Sequence, residues 1–173
     1  MSEGYDIVLR FSRRYAMGHR LISGAAPACK TPHGHDEVVI VDIASATNDT
    51  LDSRTNMLVE FEQAKGRWFR WIDKHVDHTF HISDRDPLVD FFQKNEPDIV
   101  PKLLITPGDP TTELRAACYF AKLTAFLNSG GQDLICTRIE LQETPTNSVV
   151  INSGFAPGGD HWWNRPDLDI NDL

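Results

Sequence analysis

The sequence predicts an α+β domain: a four-stranded antiparallel sheet with two helices on one face, in the order strand, strand, helix, helix, strand, strand. Three observations lead there. Residues 5–15 alternate, with Ile7, Leu9 and Phe11 on one face and Asp6, Arg10, Ser12 and Arg14 on the other, the period of a half-buried strand. Phe61, Ala64, Trp68 and Ile72 recur at three and four residues, continuing to His75 or Val76, which is helical spacing. Ala116, Phe120, Leu123 and Leu127 repeat that spacing in a second helix. With 173 residues and 40% hydrophobic content, the chain has material for one ordinary core.

After the first strand, residues 16–34 carry Gly18, Gly24, Pro27, Pro32 and Gly34 and read as an ordered loop. Val38 to Ile43 is an apolar, β-branched run, the second strand, pairing antiparallel with the first. In the first helix Trp68 and Trp71 read as anchors on the sheet. Leu88, Val89, Phe91 and Phe92 suggest a short extra helix within 84–95, surrounded by prolines from Pro87 to Pro110. The second long helix starts at Asp109-Pro110 or Thr111, where a short oxygen side chain can accept a free backbone amide, and ends at Asn128-Ser129-Gly130-Gly131. Leu134 to Glu143 is a third strand, placing Ile135, Ile139, Leu141 and Glu143 on one face, and Ser148 to Ile151 a fourth. The tail from Asn152 is rich in Gly, Pro and Asp yet holds Trp162 and Trp163, which need a surface to bury.

Composition narrows the function. A formal net charge of -8 argues against a nucleic-acid surface. No run of 18 apolar residues offers a membrane span. Three cysteines, and a beginning (Met1 to Asp6) without the pattern of a leader, give the expectation of a cytoplasmic protein with free thiols.

Chemistry concentrates between His19 and His35. Side chains two apart on a strand share a face, so His33 and His35 can grip one ion, and His19 can supply a third imidazole. Zinc on three neutral donors with an open fourth position is a catalytic rather than a structural pattern. Cys29 admits two readings, a fourth ligand that closes the site or a base free of the metal. Cys118 and Cys136 read as core residues, and His75, His81 and His161 as surface or packing histidines.

Five ordered pieces carry a resemblance: Ala16-Met17-Gly18-His19-Arg20-Leu21, Cys29 with His33-Gly34-His35, Val76-Asp77-His78, Pro110-Thr111-Thr112-Glu113 and Gln142-Glu143-Thr144. Together they resemble the 6-pyruvoyl- and 6-carboxy-tetrahydropterin synthase family, whose fold is the T-fold. The resemblance covers about residues 5–151. It implies a T-fold domain over 1–151; the connection at 83–106 is longer than the family's, and the tail over 152–173, which has no counterpart there, is expected to pack on the domain or a neighbour through Trp162 and Trp163.

By that resemblance, His19, His33 and His35 match zinc ligands, Cys29 a catalytic base, and Asp77 with His78 a second acid/base pair. Glu143 matches the carboxylate that holds the pterin ring, beside the turn at Thr111 and Thr112. The implied substrate is a pterin triphosphate, 7,8-dihydroneopterin triphosphate. Three residues between Cys29 and His33 are similar to the carboxy subgroup, which releases triphosphate and acetaldehyde on the route to queuosine. The pyruvoyl synthase, or a relative acting on another pterin, is the alternative within enzymes, and a non-catalytic zinc- and pterin-binding oligomer the alternative outside them. Arg13, Arg14, Arg20 and Lys30 are candidates for meeting the triphosphate. The family's usual Leu-Asn after the Asp-His pair is replaced by Thr79-Phe80-His81-Ile82, and Glu60-Phe61 stands for Asp-Phe. The implied assembly is a homohexamer of two stacked trimers closed into a β-barrel, with Glu143 of one chain facing the zinc of its neighbour.

Overall fold

A computed structural model describes residues 5–24, 26–47 and 50–155. Strand β1 (Leu9–His19) and strand β2 (His33–Ser45) form a long hairpin. Its register sets Leu9 opposite Ile43, Met17 opposite His35 and His19 opposite His33. The strands thus run well into the Gly- and Pro-rich stretch read as loop. Gly18 and Gly34 are cross-strand partners, and a Cβ on Gly34 would lie 2.8 Å from the Met17 carbonyl oxygen. Here glycine permits a close approach of two strands rather than a turn. Gly34→Ala should force the hairpin apart at the level of the three histidines, costing about 1–3 kcal/mol as overpacking does. Urea denaturation and metal titration of that variant check both effects. Between the strands lies one turn of helix, α1 (Pro27–Lys30), whose Cys29 carbonyl accepts from the Leu21 amide at 2.8 Å.

Helix α2 (Phe61–His75) and helix α4 (Thr112–Ser129) cover one face of the sheet. Trp68 and Trp71 are buried there, and Trp71 meets Tyr119 edge-on at 5.7 Å. Thr111 caps α4, its hydroxyl accepting from the Leu114 amide. Phe11, Tyr15 and Met17 of β1 face these helices, with Val39, Val41 and Ile43 of β2 beside them.

The expected four antiparallel strands are a six-stranded mixed sheet, ordered β4-β3-β1-β2-β5-β6. The additions are β3 (Thr79–Ser83), parallel to β1, and β4 (Leu103–Thr106), parallel to β3. Parallel neighbours need a crossover. Helix α3 (Pro87–Asn95) and a 3₁₀ turn (Pro97–Lys102) provide it, which accounts for the length of the 83–106 connection. Phe80, alternating with Thr79 and His81, meets Phe92 of α3. Helix α3 therefore lies on the sheet face opposite α2 and α4.

On the other side, β5 (Leu134–Thr144) pairs with β2, and β6 (Asn147–Asn152) with β5. The β2–β5 ladder shifts register between Asp42 and Ile43, skipping Thr137. An extra residue reverses which side chains face inward. Leu134 and Cys136 therefore join Ile139 and Leu141 in the core, and Ile135, expected there, does not. Trp162, Trp163 and His161 lie outside the described residues. No helix among the described residues is long and apolar enough to cross a membrane.

Candidate metal centre and its surroundings

The hairpin register delivers the three histidines to one point. His33 and His35 share a face of β2, and His19 stands across from His33 on β1. One ring nitrogen from each lies within 4.8 Å of the others. Nε2 of His19 and Nε2 of His33 are 3.1 Å apart. Nδ1 of His19 faces the Pro110 carbonyl at 3.2 Å and Nδ1 of His33 the Thr31 carbonyl at 2.8 Å. A carbonyl only accepts, so each Nδ1 carries the proton and each Nε2 turns a lone pair inward. Two facing lone pairs repel unless a cation lies between them. Donors about 2.0–2.1 Å from a tetrahedral zinc stand about 3.3–3.4 Å apart, close to the observed spacing. The donor set therefore fits a divalent ion, with backbone carbonyls orienting two of the rings as metal-binding histidines require.

His19 is buried, and burial, then the nearby Arg115 charge, pushes its pKa down to about 4. It is neutral at pH 7, the form that binds metal. Cys29, on α1, is a half-buried free thiol outside the three-histidine group.

Glu143 borders the cluster. Its Oε1 is 3.8 Å from His19 Nε2 and 4.0 Å from His35 Nε2 within the same chain. The expectation that Glu143 reaches a neighbour's zinc thus gives way to an in-chain arrangement. The reason is the β2–β5 pairing, which sets Gln142 opposite Val38 and so brings the end of β5 up to the histidine end of β2. Thr112 Oγ1 donates to Glu143 Oε1 at 2.7 Å, so the turn and the carboxylate do meet; Thr111 is engaged in the helix cap. Burial disfavours the Glu143 charge, yet the Thr112 hydroxyl and then the Arg115 guanidinium hold its pKa below the ordinary value.

Asp77 and His78 lie elsewhere. His78 Nδ1 is 2.8 Å from Asp77 Oδ2, and Asp77 Oδ1 accepts from the Ala16 amide. His78 has φ of 55°, and its amide donates to the Ala16 carbonyl. Ala16 is three residues from His19, about 10 Å along the strand. Asp77 is an anion by a balance: burial works against it, and the Ala16 amide and His78 outweigh burial. The His78 ring is exposed, at the mouth of a hollow of about 370 Å³ walled by Gly18, Phe80, Phe92, Ile99 and Lys102.

Sequence reading missed a buried polar chain beside the metal centre. Arg115, 1% exposed, donates through Nη1 to both oxygens of Glu37 at 2.6 Å, and Glu37 is fully buried. Arg115 Nη2 reaches Glu143 Oε1 and Thr112 Oγ1 at 3.2 and 3.3 Å, and its Nε the Pro110 carbonyl. Tyr15 donates to Glu37 at 2.7 Å and lies 3.3 Å from the Tyr119 hydroxyl. A signal existed: Glu37 continues the His33, His35 alternation, and Arg115 falls one turn after Thr112.

His81, read as surface or packing, is completely buried opposite His19. Its Nε2 bonds the Thr79 hydroxyl at 2.9 Å, and burial, then Arg115 and His19, pushes its pKa well below 6.5. Three of the four basic candidates for triphosphate are paired: Arg13 with Asp73, Arg14 with Asp36, and Arg20 with the buried Asp86. Cys118 and Cys136 are core residues whose thiols burial pushes up to about 12.

The chain is similar to known proteins over this same span. It is 28% identical over 150 residues to 6-carboxy-5,6,7,8-tetrahydropterin synthase of Rickettsia felis, covering 83% of this chain and all of that one. It is 26% identical over 146 residues to the Bacillus subtilis protein of that name, covering 84% and 85%. Among solved structures, an uncharacterized protein (WS1659) of Wolinella succinogenes superposes with a TM-score of 0.65 at 20% identity, covering 85% of this chain and 99% of that one. The 6-pyruvoyl tetrahydropterin synthase of Caenorhabditis elegans does so with 0.55 at 20% identity, covering 84% and 94%. The family profile described as 6-pyruvoyl tetrahydropterin synthase matches residues 8–153, with the three histidines, Cys29, Asp77, His78, Arg115 and Glu143 inside it, and the chain belongs to that family.

Proposed function

We propose that this chain is a zinc-dependent lyase of the tetrahydropterin synthase type, acting on 7,8-dihydroneopterin triphosphate with loss of triphosphate and acetaldehyde to give the 6-carboxy product. The observation that carries this reading is the approach of the Glu143 carboxylate to the three-histidine cluster, a planar acceptor beside an open metal position. The relatives named as carboxy-tetrahydropterin synthases and the three-residue gap between Cys29 and His33 support the carboxy subgroup.

Bound at His19, His33 and His35, zinc would supply Lewis-acid polarisation of the substrate's side-chain hydroxyls. Glu143 accepts hydrogen bonds from the ring N–H and amino group. Cys29 acts as the base that takes a proton from the side chain. His78, oriented by Asp77, returns a proton. The placement of that pair some distance along β1 supports its action on a substrate held by a neighbouring subunit. Among the described residues β4 and β6 are sheet edges with no further strand beside them, and exposed edges pair readily. A homohexamer follows from this reading, and a monomer mass in light scattering would count against it.

Incubation with 7,8-dihydroneopterin triphosphate and mass spectrometry of the products is the test. A 6-pyruvoyl product would move the chain to the other subgroup, and no product from the zinc-loaded protein would overturn the enzymatic reading. Glu143→Gln removes the charge and exchanges an acceptor for a donor. It should weaken substrate binding by about 1.5–3 kcal/mol, as for a hydrogen bond to a charged group. Because the Glu143 pKa is depressed, the binding advantage of the wild type over Glu143→Gln should persist on acidification and fall only as pH drops through that lowered value.

A further inference from the structure

Glu143 stands beside the histidine cluster without joining it. Its Oε1 is 3.8 Å from Nε2 of His19 and 4.0 Å from Nε2 of His35, a small side-chain adjustment from the centre the imidazoles face. Carboxylate oxygen is an ordinary zinc ligand, and three histidines plus a free glutamate would make a closed four-ligand set. Two donors occupy the oxygen that would move. Thr112 Oγ1 holds Oε1 at 2.7 Å and Arg115 Nη2 holds it at 3.2 Å. Arg115 cannot follow a moving carboxylate, because Glu37 grips its Nη1 at 2.6 Å and the Pro110 carbonyl its Nε at 3.2 Å. Pro110 is also the carbonyl that orients His19, so one backbone atom fixes both the ligand ring and the arginine.

We propose that Arg115 is a positioning residue that, with Thr112, holds Glu143 off the metal and so keeps the fourth position of the three-histidine site open. This rests on the reading of His19, His33 and His35 as zinc ligands, and is independent of which pterin is bound. It gives the buried Glu37–Arg115 pair a task beyond packing: Glu37 anchors the guanidinium, and the guanidinium restrains the second carboxylate.

The test uses the full-length protein with Zn²⁺ affinity from chelator competition and the absorption spectrum of the Co²⁺ form. Glu37→Leu with Arg115→Leu removes the restraint without stranding a buried charge, and Thr112→Val removes the other donor with the ion pair left in place. In the wild type, Glu143→Gln removes a neighbouring charge but no ligand, so zinc affinity should fall by no more than about tenfold, the scale of an outer partner, and the Co²⁺ spectrum should stay unchanged. In the Glu37→Leu/Arg115→Leu protein zinc should bind tighter by about tenfold, the scale at which outer partners tune a site. The Co²⁺ spectrum should change as a carboxylate replaces solvent. Adding Glu143→Gln should return both to the values of the Glu143→Gln single variant, and Thr112→Val should move both the same way by less. Unchanged affinity and spectrum in both restraint variants would overturn the proposal, as would a gain that survives Glu143→Gln. A wild-type Co²⁺ spectrum changed by Glu143→Gln alone would show that Glu143 is already a ligand. Failure of the wild type to bind zinc would overturn the metal reading itself, an outcome separate from the others.

Discussion

His33→Ala will lose both metal and turnover, whereas Cys29→Ala will keep the metal and lose turnover alone. The two residues are four apart in sequence and differ in what they touch. His33 Nε2 is 3.1 Å from its counterpart on His19, so its removal leaves two donors for an ion that needs three protein ligands to stay. Loss of a mere outer partner already costs roughly 10–100-fold in metal affinity, and loss of a ligand will exceed that. Cys29 lies outside the three-histidine group, and the role proposed for it is proton transfer, worth about 10²–10⁴-fold in rate. Metal content by mass spectrometry and a turnover assay on the same preparations separate the two. A Cys29→Ala protein that purifies without zinc would make Cys29 a ligand and remove it as the base.

Parts of this site were legible in the sequence because they are local. His33 and His35 meet by the two-residue period of a strand, and His19 joins them because a hairpin brings back a residue of similar distance from its turn. The Thr111 cap and the Trp68 and Trp71 anchors follow from helical spacing and side-chain type. What was not legible depends on contacts distant in sequence or on very short elements. Strands β3 and β4 have five and four residues and little alternation, and they are strands because β1 and α3 give them partners. The skipped Thr137 leaves no trace in the hydrophobic pattern, since both Ile135 and Cys136 can be apolar on either face. Arg115 sits next to an apolar helical stripe, where a charge usually points to water. Only Glu37, 78 residues earlier on β2, explains why it does not.

Arg115→Leu alone will destabilise the fold by about 3–5 kcal/mol, and adding Glu37→Leu will recover most of that loss. The pair is among the most deeply buried in the described residues, Arg115 at 1% and Glu37 at 0% side-chain exposure. Neither charge is screened by solvent, so their attraction offsets two large desolvation costs rather than adding a surplus. Removing Arg115 leaves the Glu37 carboxylate in the core with the Tyr15 hydroxyl as its remaining donor. A stranded carboxylate escapes by binding a proton, so its pKa in the folded variant rises above the unfolded value. The sign of the linkage follows. The folded single variant binds more protons than its unfolded chain, so the deficit relative to wild type shrinks as pH falls through that raised pKa and is largest above it. Replacing both residues by leucine removes the charge and the desolvation cost together, and the pH dependence of the deficit should vanish with them. Urea denaturation of the single and double variants at pH 8 and pH 5.5 measures both effects. A single variant no less stable than the double one would mean that Glu37 finds another partner when Arg115 is gone.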